Sequence, residues 1–139
     1  MKSLIKKAFF LKKIHLFSEL ELELLLAIAE KLHEDDYDAD EKIFSSGQVA
    51  NRIYFIVKGK VQILDEKNRP LFELTNDQYF GDESLFNERS RTYAAICQTD
   101  SILFSLSRSH LLSIISECPS VAIALLQVYS SQLPCRYKA

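Results

Sequence analysis

Phe44 to Ile63 reads FSSGQVANRIYFIVKGKVQI, and the reading of this stretch decides the fold. Arg52-Ile53-Tyr54-Phe55-Ile56-Val57 is dense in β-branched and aromatic residues, which suit a pleated, half-buried surface. Lys58-Gly59 is a tight-turn signal, and Val61-Gln62-Ile63-Leu64 reads as the return strand of a hairpin. Upstream, Lys42-Ile43-Phe44 is a short β-compatible run and Ser45-Ser46-Gly47 a turn. Downstream come a polar turn from Asp65 to Arg69, a strand at Leu71-Phe72-Glu73-Leu74 and a turn at Asn76-Asp77. Two further strands are predicted, Arg91 to Cys97 and Ile102 to Leu106, separated by Thr99-Asp100. Short strands at this regular spacing predict a sandwich or barrel.

Helical periodicity flanks the strands. Leu4, Ile5, Ala8, Leu11 and Ile14 recur at helical spacing, with a break near Leu16 and Phe17. Ser18 stands three residues before Glu21, the spacing of a capping box. It predicts a second helix with Leu22, Leu25, Leu26, Ala29 and Leu32 as its apolar stripe, ending near His33. An acidic loop from Glu34 to Glu41 follows. At the other end Ser107 is placed to cap a helix carrying Leu111, Leu112, Ile114 and Ile115. Pro119 breaks that helix and opens the last one, which carries Val121, Ile123, Ala124, Leu125 and Val128 and stops at Pro134. The fold class is therefore mainly β within α+β: an antiparallel β-roll or jelly-roll with N-terminal helices and two C-terminal helices. A single domain is expected over 1–139, with N-terminal helices at 1–33, the β-roll at 40–106 and C-terminal helices at 107–133.

At 139 residues, 47% hydrophobic and 26% charged, the chain can bury a core, and disorder is excluded. The net charge of −2 argues against a nucleic-acid binder. Charge is unevenly spread: five lysines fall in the first thirteen residues, and the acidic stretch comes later. That basic start suits a solvated helix face or a membrane or acidic partner surface. Cys97, Cys118 and Cys135 are odd in number and without CxxC spacing, which gives neither a disulfide framework nor a zinc signature. A reducing compartment fits. With no apolar run of about 18 residues and lysines interrupting any signal-peptide middle, a cytoplasmic location is expected.

The chemistry-bearing stretch is Tyr79-Phe80-Gly81-Asp82-Glu83-Ser84-Leu85-Phe86, with Arg91 ten positions after Gly81. A glycine ending a strand lets a ligand approach the backbone. The amides of the following helical turn suit an anion. Arg91 could aim a guanidinium, the cation best matched to phosphate, at the same spot. A neighbouring carboxylate is a poor phosphate ligand but a good acceptor for a sugar hydroxyl.

Taken together, these motifs resemble the cyclic-nucleotide-binding domain family, the sensor module of catabolite activator proteins, kinase regulatory subunits and gated channels. Leu11 to Leu32 is similar to the family's N-terminal helices. Phe44 to Ile63 is similar to its first hairpin, Phe80 to Arg91 to its phosphate-binding cassette, and Ile102 to Ile115 to its closing strand and hinge helix. The resemblance implies that Arg91 takes the cyclic phosphate and that Gly81 opens the cassette. It places Asp82 where a longer Glu usually holds the ribose hydroxyl, with Glu83 beside it. Ser84 and Thr92 fit positions where the family takes small residues. Asp77 and Tyr93 depart from the pattern, each standing where a smaller residue is common. Strand alternation puts Tyr93 on the same face as Arg91. The last helix, around Leu125, Val128 and Tyr129, is expected to act as a lid over the base.

Two functional readings follow. In the first the chain is a cAMP- or cGMP-binding regulatory domain, acting through a protein partner or a linked effector domain. In the second the pocket is degenerate and the fold is a ligand-free protein-interaction module, with oligomerisation compatible with either. No cofactor other than the nucleotide ligand and no metal is expected. An enzyme is not expected, because His15, His33 and His110 are scattered and no P-loop or dinucleotide fingerprint is present. The DNA-binding members of the family carry a helix-turn-helix after the last helix, and the chain ends five residues past Pro134. A membrane-attached parent protein suits the basic start.

Overall fold

The run at Arg52 does form the central strand of a sheet. In the computed structural model, residues 3–85, 87 and 89–131 are described, without the side chains of Ser84 and Leu85. The chain divides into a helical unit, residues 1–31 with 110–139, and a β unit, residues 32–109.

The β unit holds eight strands: β1 (His33–Tyr37), β2 (Lys42–Phe44), β3 (Arg52–Lys58), β4 (Val61–Leu64), β5 (Pro70–Leu74), β6 (Tyr79–Phe80), β7 (Ala94–Cys97) and β8 (Ser101–Ser107). They form two four-stranded antiparallel sheets, ordered β1-β8-β3-β6 and β2-β7-β4-β5. Alternation explains the burial. Ile56 of β3, Val61 and Ile63 of β4, and Leu103 of β8 point inward and make one apolar core with Phe44, Phe80, Ala95 and Cys97. Ile53 and Phe55 are buried on the opposite face of β3. Gly59 permits the β3–β4 turn. Its φ is +128°, and a Cβ there would stand 2.1 Å from Ser101 Oγ.

The helical unit contains α1 (Leu4–Lys13), a 3₁₀ turn (His15–Phe17), α2 (Leu22–Ala29) and most of α3 (Arg108–Glu117), followed by α4 (Ser120–Ser130). Ser3 Oγ caps α1 by accepting from the Lys6 amide. Leu11, Ile14, Leu16 and Phe17 are buried with Leu25 and Ile28, and α4 packs on the 3₁₀ turn with Val121, Leu125 and Val128 buried. No single helix among the described residues is long and apolar enough to cross a membrane. Cys97 and Cys118 are free thiols. Pro134 and Cys135 lie outside the described residues.

Three expectations are corrected. Ser18 does not cap α2. Its hydroxyl donates to the His15 carbonyl and closes the 3₁₀ turn, and the N-cap position is Glu21. The acidic loop is in part a strand: His33–Tyr37 pairs with β8 from His33↔Ser105 to Tyr37↔Ser101. At the sheet's edge Asp35 and Asp36 are exposed, while Glu34 is half-buried, so the charge of the run does not prevent pairing there. The sheet therefore begins at 33, before the predicted boundary of 40. Third, the strand predicted from Arg91 starts only at Ala94. The Arg91 amide donates to the Gln48 carbonyl at 2.7 Å, and its carbonyl accepts from the Gly47 amide at 2.7 Å. These groups are committed to the β2–β3 connection, and the ladder with β4 opens one turn later, at Ala94↔Leu64.

Candidate ligand site

Gly81 follows β6 with φ +84°, a left-handed conformation that disfavours side chains. A Cβ there would stand 3.0 Å from both the Arg52 carbonyl oxygen and Arg91 Nη1, a tight approach that adds to the preference for glycine. A 3₁₀ turn spans Asp82–Leu85 directly after it, as the sequence predicts.

Arg91 is buried. Its Nη1 donates to the Gly81 carbonyl at 3.2 Å and to Glu83 Oε1 at 2.5 Å, and its Nη2 donates to the Arg52 carbonyl at 2.6 Å. The guanidinium carbon lies 4.2 Å from the centre of the Phe44 ring, a cation–π stack in a desolvated place. Phe44 in turn meets Tyr93 edge-on at 5.3 Å between centroids, and Tyr54 stacks on Phe80 at 5.3 Å.

Tyr93 completes the arrangement. Its hydroxyl accepts from the Gly81 amide at 2.9 Å and donates to Glu83 Oε2 at 3.1 Å. Burial, followed by the charge of Glu83, pushes the Tyr93 phenol well above its ordinary range. Arg91 and Tyr93 thus hold the two oxygens of one carboxylate. They do so from a bend, and the alternation of a strand is not what brings them together.

Beside this cluster opens a cavity of about 560 Å³. Asp82, Thr92, Tyr93, Tyr79 and Phe80 line one side of it, while Ile63, Leu71, Phe72, Leu74 and the hairpin residues Asp65 to Lys67 and Arg69 line the other. The volume is of the size that small-molecule ligands occupy. Burial first and the Asp82 charge second raise the Tyr79 phenol. At the rim the Asp65 carboxylate accepts from Arg69 Nε at 2.8 Å, and hydrogen bonds led by the Arg69 amide lower its pKa.

Of the six predicted site residues, Asp82 and Thr92 line the cavity, whereas Gly81, Glu83 and Arg91 do not and are joined to one another beside it, Glu83 turning toward Arg91. The side chain of Ser84 is outside the described part of the structure. Two contributors were missed. The Phe44 ring under Arg91 was read only as a β residue. The β4–β5 hairpin wall carries one signal in the sequence: Leu71-Phe72 puts two apolar residues together in an otherwise polar stretch, so one of them must face away from the core.

The β-roll thus presents a glycine-opened turn and a buried arginine beside a cavity of small-molecule size. The sequence profile of the cyclic nucleotide-binding domain matches residues 34–118, and the chain belongs to that family. Among curated relatives, a CRP-like cAMP-activated global transcriptional regulator of Mycobacterium tuberculosis is 28% identical over 88% of this chain and 57% of its own length. A cyclic nucleotide-gated channel rod photoreceptor subunit alpha of Gallus gallus is 28% identical over 88% of this chain and 20% of its own. The chain thus spans little more than half of the first relative and a fifth of the second. Among solved structures, the N-terminal domain of a transcriptional regulator from Streptomyces coelicolor A3(2) superposes with a TM-score of 0.83 at 25% identity, covering 94% of this chain and 96% of that one. The Thermus thermophilus catabolite activator protein gives 0.74 at 28%, covering 86% and 58%.

Proposed function

We propose that this chain is a regulatory sensor for a cyclic nucleotide, with cAMP as the first candidate. One observation carries the reading: a cavity is lined by Asp82, Thr92 and Tyr93, of which the first two stand next in sequence to Gly81 and the buried Arg91, and Tyr93 joins it to the turn at Gly81 through its hydrogen bond with the Gly81 amide. The cyclic phosphate would lie against that turn, with Arg91 as its charge partner. Asp82 would accept from the ribose, and the base would lie on the apolar wall of Ile63, Phe72 and Leu74. The name of the Mycobacterium relative supports cAMP over cGMP. The family's regulators and channels support an effector carried by a partner or by a linked domain, in a non-enzymatic role.

The test is calorimetric titration with cAMP and cGMP, with Arg91→Ala as control. Saturable binding that the variant loses is the expected result. Absence of binding to wild type and of any thermal shift at high ligand would overturn it, since a ligand at ~100 times its Kd adds roughly 2.7 kcal/mol of stability.

A second reading has its own observation. Glu83 and Tyr93 already satisfy Arg91 and the Gly81 amide, and this favours an interaction module whose pocket stays empty of ligand.

A further inference from the structure

The groups beside the cavity that suit an anion are occupied by the protein itself. A phosphate entering the turn at Gly81 would look for two things, a guanidinium and a free backbone amide. Both are engaged: Glu83 Oε1 sits on Arg91 Nη1, and the Tyr93 hydroxyl sits on the Gly81 amide. The same hydroxyl donates to Glu83 Oε2, so the carboxylate is held at both oxygens. Like a phosphate, that carboxylate carries negative charge on oxygens that accept from Arg91. It is also open to solvent, the Glu83 side chain being 41% exposed while that of Arg91 is 3% exposed.

We infer that Glu83 is an internal counter-anion, a stand-in for the ligand phosphate, which an incoming cyclic nucleotide must displace from Arg91. The inference rests on the cyclic-nucleotide reading for its ligand but adds an affinity-setting role for Glu83 and Tyr93. Displacement means that Arg91 exchanges one anion for another and that Tyr93 releases the Gly81 amide. Charge on Arg91 is then balanced in both states, and its burial does not penalise the empty one. The measured affinity is the intrinsic affinity reduced by the fraction of molecules in which Glu83 has swung away. Glu83 therefore sets the concentration at which the sensor responds, and it does so without touching the ligand.

The experiment titrates wild type, Glu83→Gln and Tyr93→Phe with two probes, cAMP and inorganic phosphate. Gln keeps an oxygen for Arg91 but removes the charge, and Phe keeps the ring on Phe44 while freeing the Gly81 amide. A far-ultraviolet spectrum and a thermal melt confirm that each variant is folded. Glu83→Gln is expected to bind cAMP at least about tenfold more tightly than wild type, and Tyr93→Phe to move the same way by less. Binding of phosphate by Glu83→Gln, with cAMP bound by none of the proteins, would support the counter-anion and overturn the nucleotide reading. If wild type binds cAMP and Glu83→Gln binds it equally or more weakly, the counter-anion is overturned and the nucleotide reading stands. No gain toward either probe in either variant also overturns it.

Discussion

The two walls of the cavity differ in how their polar groups are settled. Along Gly81 to Tyr93, Arg91 holds two carbonyls and a carboxylate, and Tyr93 holds an amide and the same carboxylate. Along the β4–β5 hairpin, Leu71 and Phe72 are more than half exposed and the polar residues form the rim. On the proposed reading, changes in the closed wall cost stability and ligand together. Leu71 and Phe72 of the open wall have little stability to lose, and changes there should appear in affinity alone.

Arg91→Ala tests the closed wall most severely. It strips two backbone carbonyls of a buried donor and removes the stack on Phe44. A loss of roughly 2–3 kcal/mol in urea unfolding is expected together with loss of ligand binding, and an unchanged urea midpoint would break the comparison. Gly81→Ala comes next, because φ +84° strains any side chain and a methyl group 3.0 Å from the Arg52 carbonyl would push on its neighbours. About 1–3 kcal/mol is expected, read by the same unfolding curves.

Tyr93→Phe should cost about 1 kcal/mol near neutrality. It also has a pH signature. The Tyr93 phenol titrates above its ordinary value of 10.0, so the folded chain keeps a proton that the unfolded chain gives up. Its contribution to stability is complete below about pH 10 and is lost as pH rises through and beyond that value. Wild type should therefore destabilise more steeply than Tyr93→Phe between pH 9 and pH 11, about one unit on either side of the unfolded pKa, as followed by thermal melts. Equal slopes would remove Tyr93 from the closed wall. Smallest in stability is Phe72→Ala on the open wall: less than about 0.5 kcal/mol in unfolding, with cAMP affinity falling by about tenfold. A large stability loss here would erase the distinction between the walls.

The closed wall was the legible half. Glycine before an acidic turn and arginine ten positions later form a pattern in one dimension, and the fold keeps that pattern local. Tyr93 stood out because it is large where a small residue is usual. What could not be read was its partner. Glu83 was weighed as a ribose acceptor, yet it turns to Arg91, and a side-chain direction inside a 3₁₀ turn leaves no trace in residue spacing. Phe44 lies far from Arg91 in sequence, and the β2–β7 pairing together with the reciprocal hydrogen bonds at Gly47 and Gln48 brings the two segments together. β1 was missed for another reason. Its run HEDDY lacks the apolar face by which strands are found, because it pairs at a sheet margin and buries little.

That acidic margin has a bearing on how the molecule behaves in a crowd. An unpaired strand offers a template on which a second chain can polymerise, and fibrils grow by such additions. Along β1, the adjacent Asp35 and Asp36 form a short exposed acidic row at the sheet's edge. A second copy's β1 would have to bring its own carboxylates to within about 5 Å. Like charges at that spacing repel, and the row acts as a gatekeeper against self-templating along that edge.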